Sequence, residues 1–153
     1  MNQHFRAYSA IFPILMRMCD GRRQVLLHRR QNTGYMDGLW DIAGSGHVDA
    51  DKTATQALAR ECREELGVVL HPEDVCFAHL SHRLGARTYC DLYFIVYAWA
   101  GTPEIREPEK CSALSWFDVD ALPEDMIGIR REDLLHCLRG ETYSEKRPEG
   151  GNV

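Results

Sequence analysis

The sequence predicts a single α+β domain in which a mixed β-sheet is sandwiched between helices. Three observations carry this. A chain of 153 residues suits one core and is short for two. Runs of strand-forming residues stand both before and after one strongly helical segment. The links between those runs are short and hairpin-like, with no regular alternation of strand and crossover helix.

Taken in order, Ala7 to Leu15 is rich in β-formers, and Asp20-Gly21 makes a turn into a second strand at Gln24 to Leu27. Gln31 to Gly38 combines Asn, Thr, Asp and two glycines and is expected to be a loop. Leu39 to Ile42 resumes as a short strand. Thr53 to Leu66 is the clearest helix: its Ala, Leu, Gln, Arg and Glu are good helix formers, Thr53 and Gln56 form a capping box, and Gly67 is a natural stop. Ala54, Ala57, Leu58, Cys62 and Leu66 recur at helical spacing and define its buried stripe. Strands follow at Val75 to His79, Thr88 to Ala100 and Leu114 to Phe117, and a second helix at Ile129 to Leu138, closed by Gly140. Residues 1–140 are thus expected to form the domain, and 141–153 a flexible tail.

Composition limits the partners. The net charge is -5, and the basic pairs Arg22-Arg23 and Arg29-Arg30 are too small to make a surface for a nucleic-acid polymer. No segment approaches the length of a membrane helix, and the start lacks the features of a secretory signal. The six cysteines include no C-x-x-C pair, so they read as thiols of a reducing compartment, and a cytoplasmic location is expected.

The informative stretch runs from Gly46 to Val68. At about 100° per helical residue, Glu64 and Glu65 fall roughly 60° behind and 40° ahead of Glu61. Like charges at that spacing repel, so a positive charge is expected among them: Arg60 in part, and a hard divalent cation more fully. Solvated pairing of Arg60 and Arg63 with the glutamates is the plainer alternative.

Gly46 followed by Arg60-Glu61-Cys62-Arg63-Glu64-Glu65-Leu66-Gly67-Val68 resembles the Nudix box, the motif of the MutT-type Nudix hydrolases. The box reads Gly, five residues, Glu, seven residues, then Arg-Glu-U-x-Glu-Glu-x-Gly-U with U apolar, and one position departs from it. The expected Glu six residues after Gly46 is Lys52; in the family that Glu helps hold the motif's Arg, and here Asp49 or Asp51 stands nearby to replace it. Similarity extends to Leu39-Trp40 before the box and to Trp116-Phe117 and Leu122-Pro123 after it. The segments around Gln31 to Trp40 and Glu107 to Phe117 are similar to a subgroup of small bacterial Nudix proteins.

The resemblance implies a Nudix-type α/β/α sandwich and metal-dependent hydrolysis of a phosphoanhydride in a nucleoside triphosphate or related nucleoside diphosphate derivative. Glu61, Glu64, Glu65 and the Gly46 carbonyl would hold Mg²⁺ or Mn²⁺, with water as nucleophile. Arg60, Glu61, Glu64 and Glu109 are the candidate catalytic residues, with Glu107 a further candidate base. Arg29 is a candidate phosphate ligand, and Tyr35 and Trp116, beside Phe12 and Tyr89, are candidate stacking faces for a flat ring. His79, His82 and Arg83 stand near a strand end. The partner implied is a small nucleotide-like diphosphate, with monomer and homodimer both open. Two other readings remain: a degenerate Nudix fold that binds a nucleotide without turnover, motivated by Lys52, and chemistry like that of a prenyl-diphosphate isomerase.

Overall fold

A computed structural model describes residues 4–148. Two long strands, β1 (Tyr8–Cys19) and β2 (Arg22–Arg30), are joined at the Asp20-Gly21 turn, where both residues take positive φ. β3 (Trp40–Ile42) and β4 (Gly46–His47) precede helix α1 (Ala54–Glu61), which runs on into a wider π-helical turn at Cys62–Leu66. Then come β5 (Val75–Arg83), β6 (Tyr89–Val96), β7 (Cys111–Asp118), α2 (Gly128–Leu138) and β8 (Tyr143–Lys146).

The sheet is mixed, and β1 is its corner. The C-terminal part of β1 pairs antiparallel with β2 from Met16↔Val25 to Cys19↔Arg22. Its N-terminal part leaves β2, pairing parallel with β6 from Tyr8 to Leu15 and antiparallel with β4 at Ala10 and Ile11. Past Val25, β2 is flanked by β3 and β7 instead. The two halves therefore splay apart from the β1–β2 corner and leave a wedge between them.

Alternation along the strands supplies both faces with apolar residues. Phe12, Ile14, Leu27, Tyr93 and Leu134 pack in the cluster toward α2, and Ile11, Leu15, Leu26, Leu58, Cys62 and Val96 in the cluster toward α1. Helices on opposite sides of the strands complete the expected sandwich. The Thr53–Gln56 capping box forms as expected, with both reciprocal bonds present, and Gly67 ends the helical segment in the left-handed region at φ 72°.

Three local expectations need correction. β6 stops at Val96, because the chain bends away so that Ala100 can bridge to Val69. The last turn of the first helix is π rather than α, which re-aims its glutamates. The tail expected to be flexible from Glu141 carries β8, paired parallel to β5 from Leu80↔Tyr143 to Arg83↔Lys146; residues 149–153 lie outside those described.

Candidate active site

The wedge encloses a cavity of about 700 Å³, within the range of small-molecule sites. Each element contributes by its register. Ala10 and Phe12 come from β1, His28 and Arg30 from β2, Asp41 from β3, Gly46 and His47 from β4, Tyr89 from β6 and Arg130 from α2.

One end is acidic. In the wide turn Glu65 comes into line with Glu61, four residues earlier, close enough for the Glu61 charge to bear on it. Burial raises the pKa of Glu61. It also raises that of Glu65, with help from the charges of Glu61 and Glu107, up to about 8. Glu61 lies so close to Gly46 that a Cβ there would collide with the Glu61 carboxyl group, so only glycine lets the β4 backbone approach the carboxylate. Glu64 sits on the solvent flank, with Arg60 Nη1 3.7 Å from its Oε2. The same guanidinium reaches Glu61 at 3.0 Å and Asp49 at 3.4 Å.

Glu107 enters the cavity from the loop between β6 and β7. Backbone bonds from Arg106 N to Glu65 O at 3.2 Å and from Glu104 N to Leu66 O at 3.0 Å dock that loop on the π turn.

Among the described residues, no three His, Cys, Asp or Glu side chains are already gathered as a finished metal cage. The donor chemistry nevertheless fits a hard cation. Two half-buried carboxylates share a site that raises the pKa of both, Glu61 lies against a backbone drawn in by a glycine, and Glu64 stands exposed on the same turn.

The other end is a buried polar floor. The Arg130 guanidinium lies 3.8 Å from the Phe12 ring centroid and donates to Asp91 at 3.2 Å and to the Tyr93 hydroxyl at 2.6 Å; that hydroxyl donates in turn to Asp133. Arg30 bonds Asp41 at 3.1 Å, Thr33 Oγ1 at 3.1 Å and the Tyr35 carbonyl at 2.7 Å. Arg130 Nε and His28 Nε2 are buried without a hydrogen-bond partner among the described residues, although Arg130 Nε lies 3.7 Å from Asp41 Oδ1. Burial lowers the His28 pKa, so its ring is neutral at pH 7. Arg83, Arg87, His47 and Lys110 line the remaining walls. The cavity thus joins a carboxylate pole to a rim of cationic side chains.

Of the residues singled out from sequence, Gly46, Glu65, Tyr35, Phe12, Tyr89, Arg83 and Glu107 line this cavity, and Arg60, Glu61 and Glu64 border its acidic end. Others lie elsewhere. Arg29 points to the opposite face of β2 from Arg30, where it covers Trp40 at 4.8 Å and pairs with Asp125. Trp116 packs on the α1 side, stacked on Trp99 at 5.7 Å and under Arg17 at 4.2 Å, so it offers no face inside the wedge. Glu109 is outside the cavity lining, and its carbonyl accepts from the Asn32 side chain. His79 is fully buried and bonded through both ring nitrogens, and His82 packs edge-on against Phe5. Arg130, Asp41, His28 and Arg30 were not foreseen as site residues. The available signal was a charged residue inside an otherwise apolar element, as with Asp41 between Trp40 and Ile42.

A family model described as the NUDIX domain matches residues 11–137. The 8-oxo-dGTP diphosphatase of Haemophilus influenzae is 28% identical over 99 residues, covering 65% of this chain and 70% of that protein. An RNA pyrophosphohydrolase of Gluconacetobacter diazotrophicus is 28% identical over 134 residues, covering 74% of this chain and 80% of its own length. The crystal structure of a MutT NUDIX hydrolase from Burkholderia pseudomallei superposes with a TM-score of 0.73 at 24% identity, covering 86% of this chain and 98% of that one, a likeness of fold.

Proposed function

Because the chain belongs to the NUDIX domain family and is a Nudix hydrolase, we propose that it cleaves a phosphoanhydride bond in a nucleoside triphosphate or related nucleoside diphosphate derivative, with Mg²⁺ or Mn²⁺ as cofactor. The observation that carries this reading is the juxtaposition of the half-buried Glu61, lying against Gly46, and Glu65 at one end of a cavity of about 700 Å³ lined by cationic side chains.

In this reading the Gly46 carbonyl, Glu61, Glu64 and Glu65 hold the ion. A divalent cation bound there neutralises the diphosphate and makes water more acidic. Lys110, close enough for its charge to act on Glu65, and Arg30 line the same cavity and supply positive charge for the diphosphate. The bridging phosphorus–oxygen bond breaks as water oxygen bonds to phosphorus, and Glu107, held beside Glu65 by the docked loop, takes the water proton. Of the two loop candidates, Glu107 and Glu109, this reading takes Glu107, which lines the cavity. Tyr35 lines the cavity with its ring partly exposed, where it can stack on a base.

The degenerate-binder reading rested on Lys52. That side chain is exposed and Arg60 already has Asp49 as a carboxylate partner, so the substitution does not leave the motif's arginine unpaired. No observation favours isomerase chemistry.

The test is a panel of nucleoside triphosphates, nucleoside diphosphate derivatives and capped oligonucleotides, incubated with Mg²⁺ or Mn²⁺ and analysed for products. Release of phosphate, pyrophosphate or a nucleoside monophosphate by the wild type and not by Glu64→Gln is expected. Wild-type protein inert toward the whole panel with either metal would defeat the assignment.

A further inference from the structure

The Arg60 guanidinium is shared by more acceptors than it can neutralise. One positive charge faces Asp49 at 3.4 Å, Glu61 at 3.0 Å and Glu64 at 3.7 Å, and it also reaches the His47 carbonyl at 3.5 Å. Glu61 and Glu64 are the carboxylates assigned above to the cation. Arg60 therefore competes with that cation for the same oxygens, and whatever draws it away from them favours the metal.

The backbone shows how Asp49 comes to be beside it. Val48 N donates to Ser9 O at 2.9 Å, which pins the chain to β1 one residue earlier. Asp49 then opens a turn closed by Lys52 N donating to Asp49 O at 3.2 Å, with Asp51 in the left-handed region at φ 66°. The turn leaves Lys52 exposed just ahead of the Thr53 cap and keeps Asp49 on the Arg60 side.

We infer that Asp49 is a positioning residue that does in this chain the work of the acidic residue missing at position 52: it gives Arg60 a counter-ion of its own, so that Glu61 and Glu64 can be released to a divalent cation. The inference rests on the functional reading above for the identity of the ligands. It assigns a role to a residue at one of the motif's unspecified positions, and it separates the motif's arginine from the metal. Asp49 touches neither substrate nor metal and acts only through Arg60.

The experiment is a double-variant cycle read by Mn²⁺ binding, using calorimetry or the loss of the free Mn²⁺ paramagnetic signal, on wild type, Asp49→Asn, Arg60→Gln and the pair. Loss of a supporting residue of this kind weakens metal binding by about 10–100-fold. Asp49→Asn should weaken Mn²⁺ by about tenfold in the wild-type background and by much less once Arg60 is Gln. In Asp49→Asn, added Lys52→Glu should restore most of the affinity. Where turnover is measured, kcat at limiting Mn²⁺ should fall with little change in nucleotide KM. Asp49 is exposed, and coincident thermal melts will establish that the variants fold.

Unchanged Mn²⁺ affinity in Asp49→Asn would overturn the inference. So would a loss of equal size in the Arg60→Gln background, since Asp49 would then act on something else. Failure of Lys52→Glu to restore binding would overturn the claim that the two positions do the same job. Because Mn²⁺ binding needs no turnover, these outcomes stay readable even if no substrate is ever cleaved. Conversely, a wild type that hydrolyses nucleotides alongside an Asp49→Asn variant with normal Mn²⁺ affinity would sink this inference alone.

Discussion

The backbone N–H of Arg106 donates to the carbonyl of Glu65 at 3.2 Å, which ties the loop carrying Glu107 to the helical turn carrying the half-buried Glu65. Gly67 makes the join possible: a Cβ there would stand 2.6 Å from Arg106 Nε, and its φ of 72° lies in the left-handed region. Gly67→Ala should cost about 1–2 kcal/mol through the backbone alone, and it should displace Arg106 as well. Denaturant unfolding together with kcat checks this. The docking matters to the site if both fall. A stable variant with full kcat would show that Glu107 does not depend on it.

Glu65→Gln should move stability and function in opposite directions. The substitution removes a carboxylate that burial and the charges of Glu61 and Glu107 all disfavour, so the metal-free protein should melt at a higher temperature than wild type. The same change removes a proposed ligand, so added Mg²⁺ should no longer raise the melting temperature, and turnover should drop by about a hundredfold or more. A residue that only held the fold together would lose stability in the metal-free form instead. Thermal melts with and without Mg²⁺ separate the two cases.

The pH dependence follows from the same carboxylate. Its folded pKa, about 8, lies above the ordinary glutamate range, so the native state holds this proton more tightly than the unfolded chain does. The associated stability is fully present below the unfolded pKa and is lost as pH rises toward about 8. Metal-free protein should therefore lose stability across that window. Proton and cation compete for Glu65, so Mg²⁺ affinity should climb through the same window and level off above it. Unfolding free energies and Mg²⁺ titrations between pH 5 and about 9 test this. An affinity independent of pH would mean that Glu65 does not hold the ion.

How far the sequence could be read depended on whether the signal was local. The capping box at Thr53 and Gln56 and the stop at Gly67 are written in neighbouring residues, and both form as expected. The conversion of the last turn to π geometry is not local. It accompanies a bond from Val68 N to Cys62 O and the docking of a loop some forty residues further on, and in this turn Glu65 lines the cavity while Glu64 stays exposed. The same holds for strand faces. Arg29 and Arg30 look equivalent as a basic pair, yet alternation sends one to Trp40 and the other into the cavity, and only the pairing register of β2 says which. Trp116 has the composition of a stacking residue but lies on β7, facing α1. The Arg130–Asp91–Tyr93–Asp133 floor joins α2 to β6 across long stretches of chain, and no periodicity announces it.

The C-terminal segment gives the sharpest contrast between sequence and fold, because a short polar strand has no apolar pattern to reveal it. Its backbone and side chains nonetheless satisfy buried groups. The fully buried His79 ring has Nδ1 2.6 Å from the Glu141 carbonyl and Nε2 2.7 Å from Ser144 Oγ, while Lys146 pairs with Asp133, the partner of Tyr93 beneath the cavity floor. Removing residues 141–153 would strand His79 without either partner and leave Asp133 buried without its lysine. Each unsatisfied buried group costs about 1–3 kcal/mol and a buried charge more, so the truncated chain should lose several kcal/mol of stability. Ending the chain at Arg147 instead should cost little, since the β8 pairing and both His79 bonds are retained. Urea unfolding of the two truncations against full-length protein decides the matter. Equal midpoints for all three would mean that the segment is a passive tail after all.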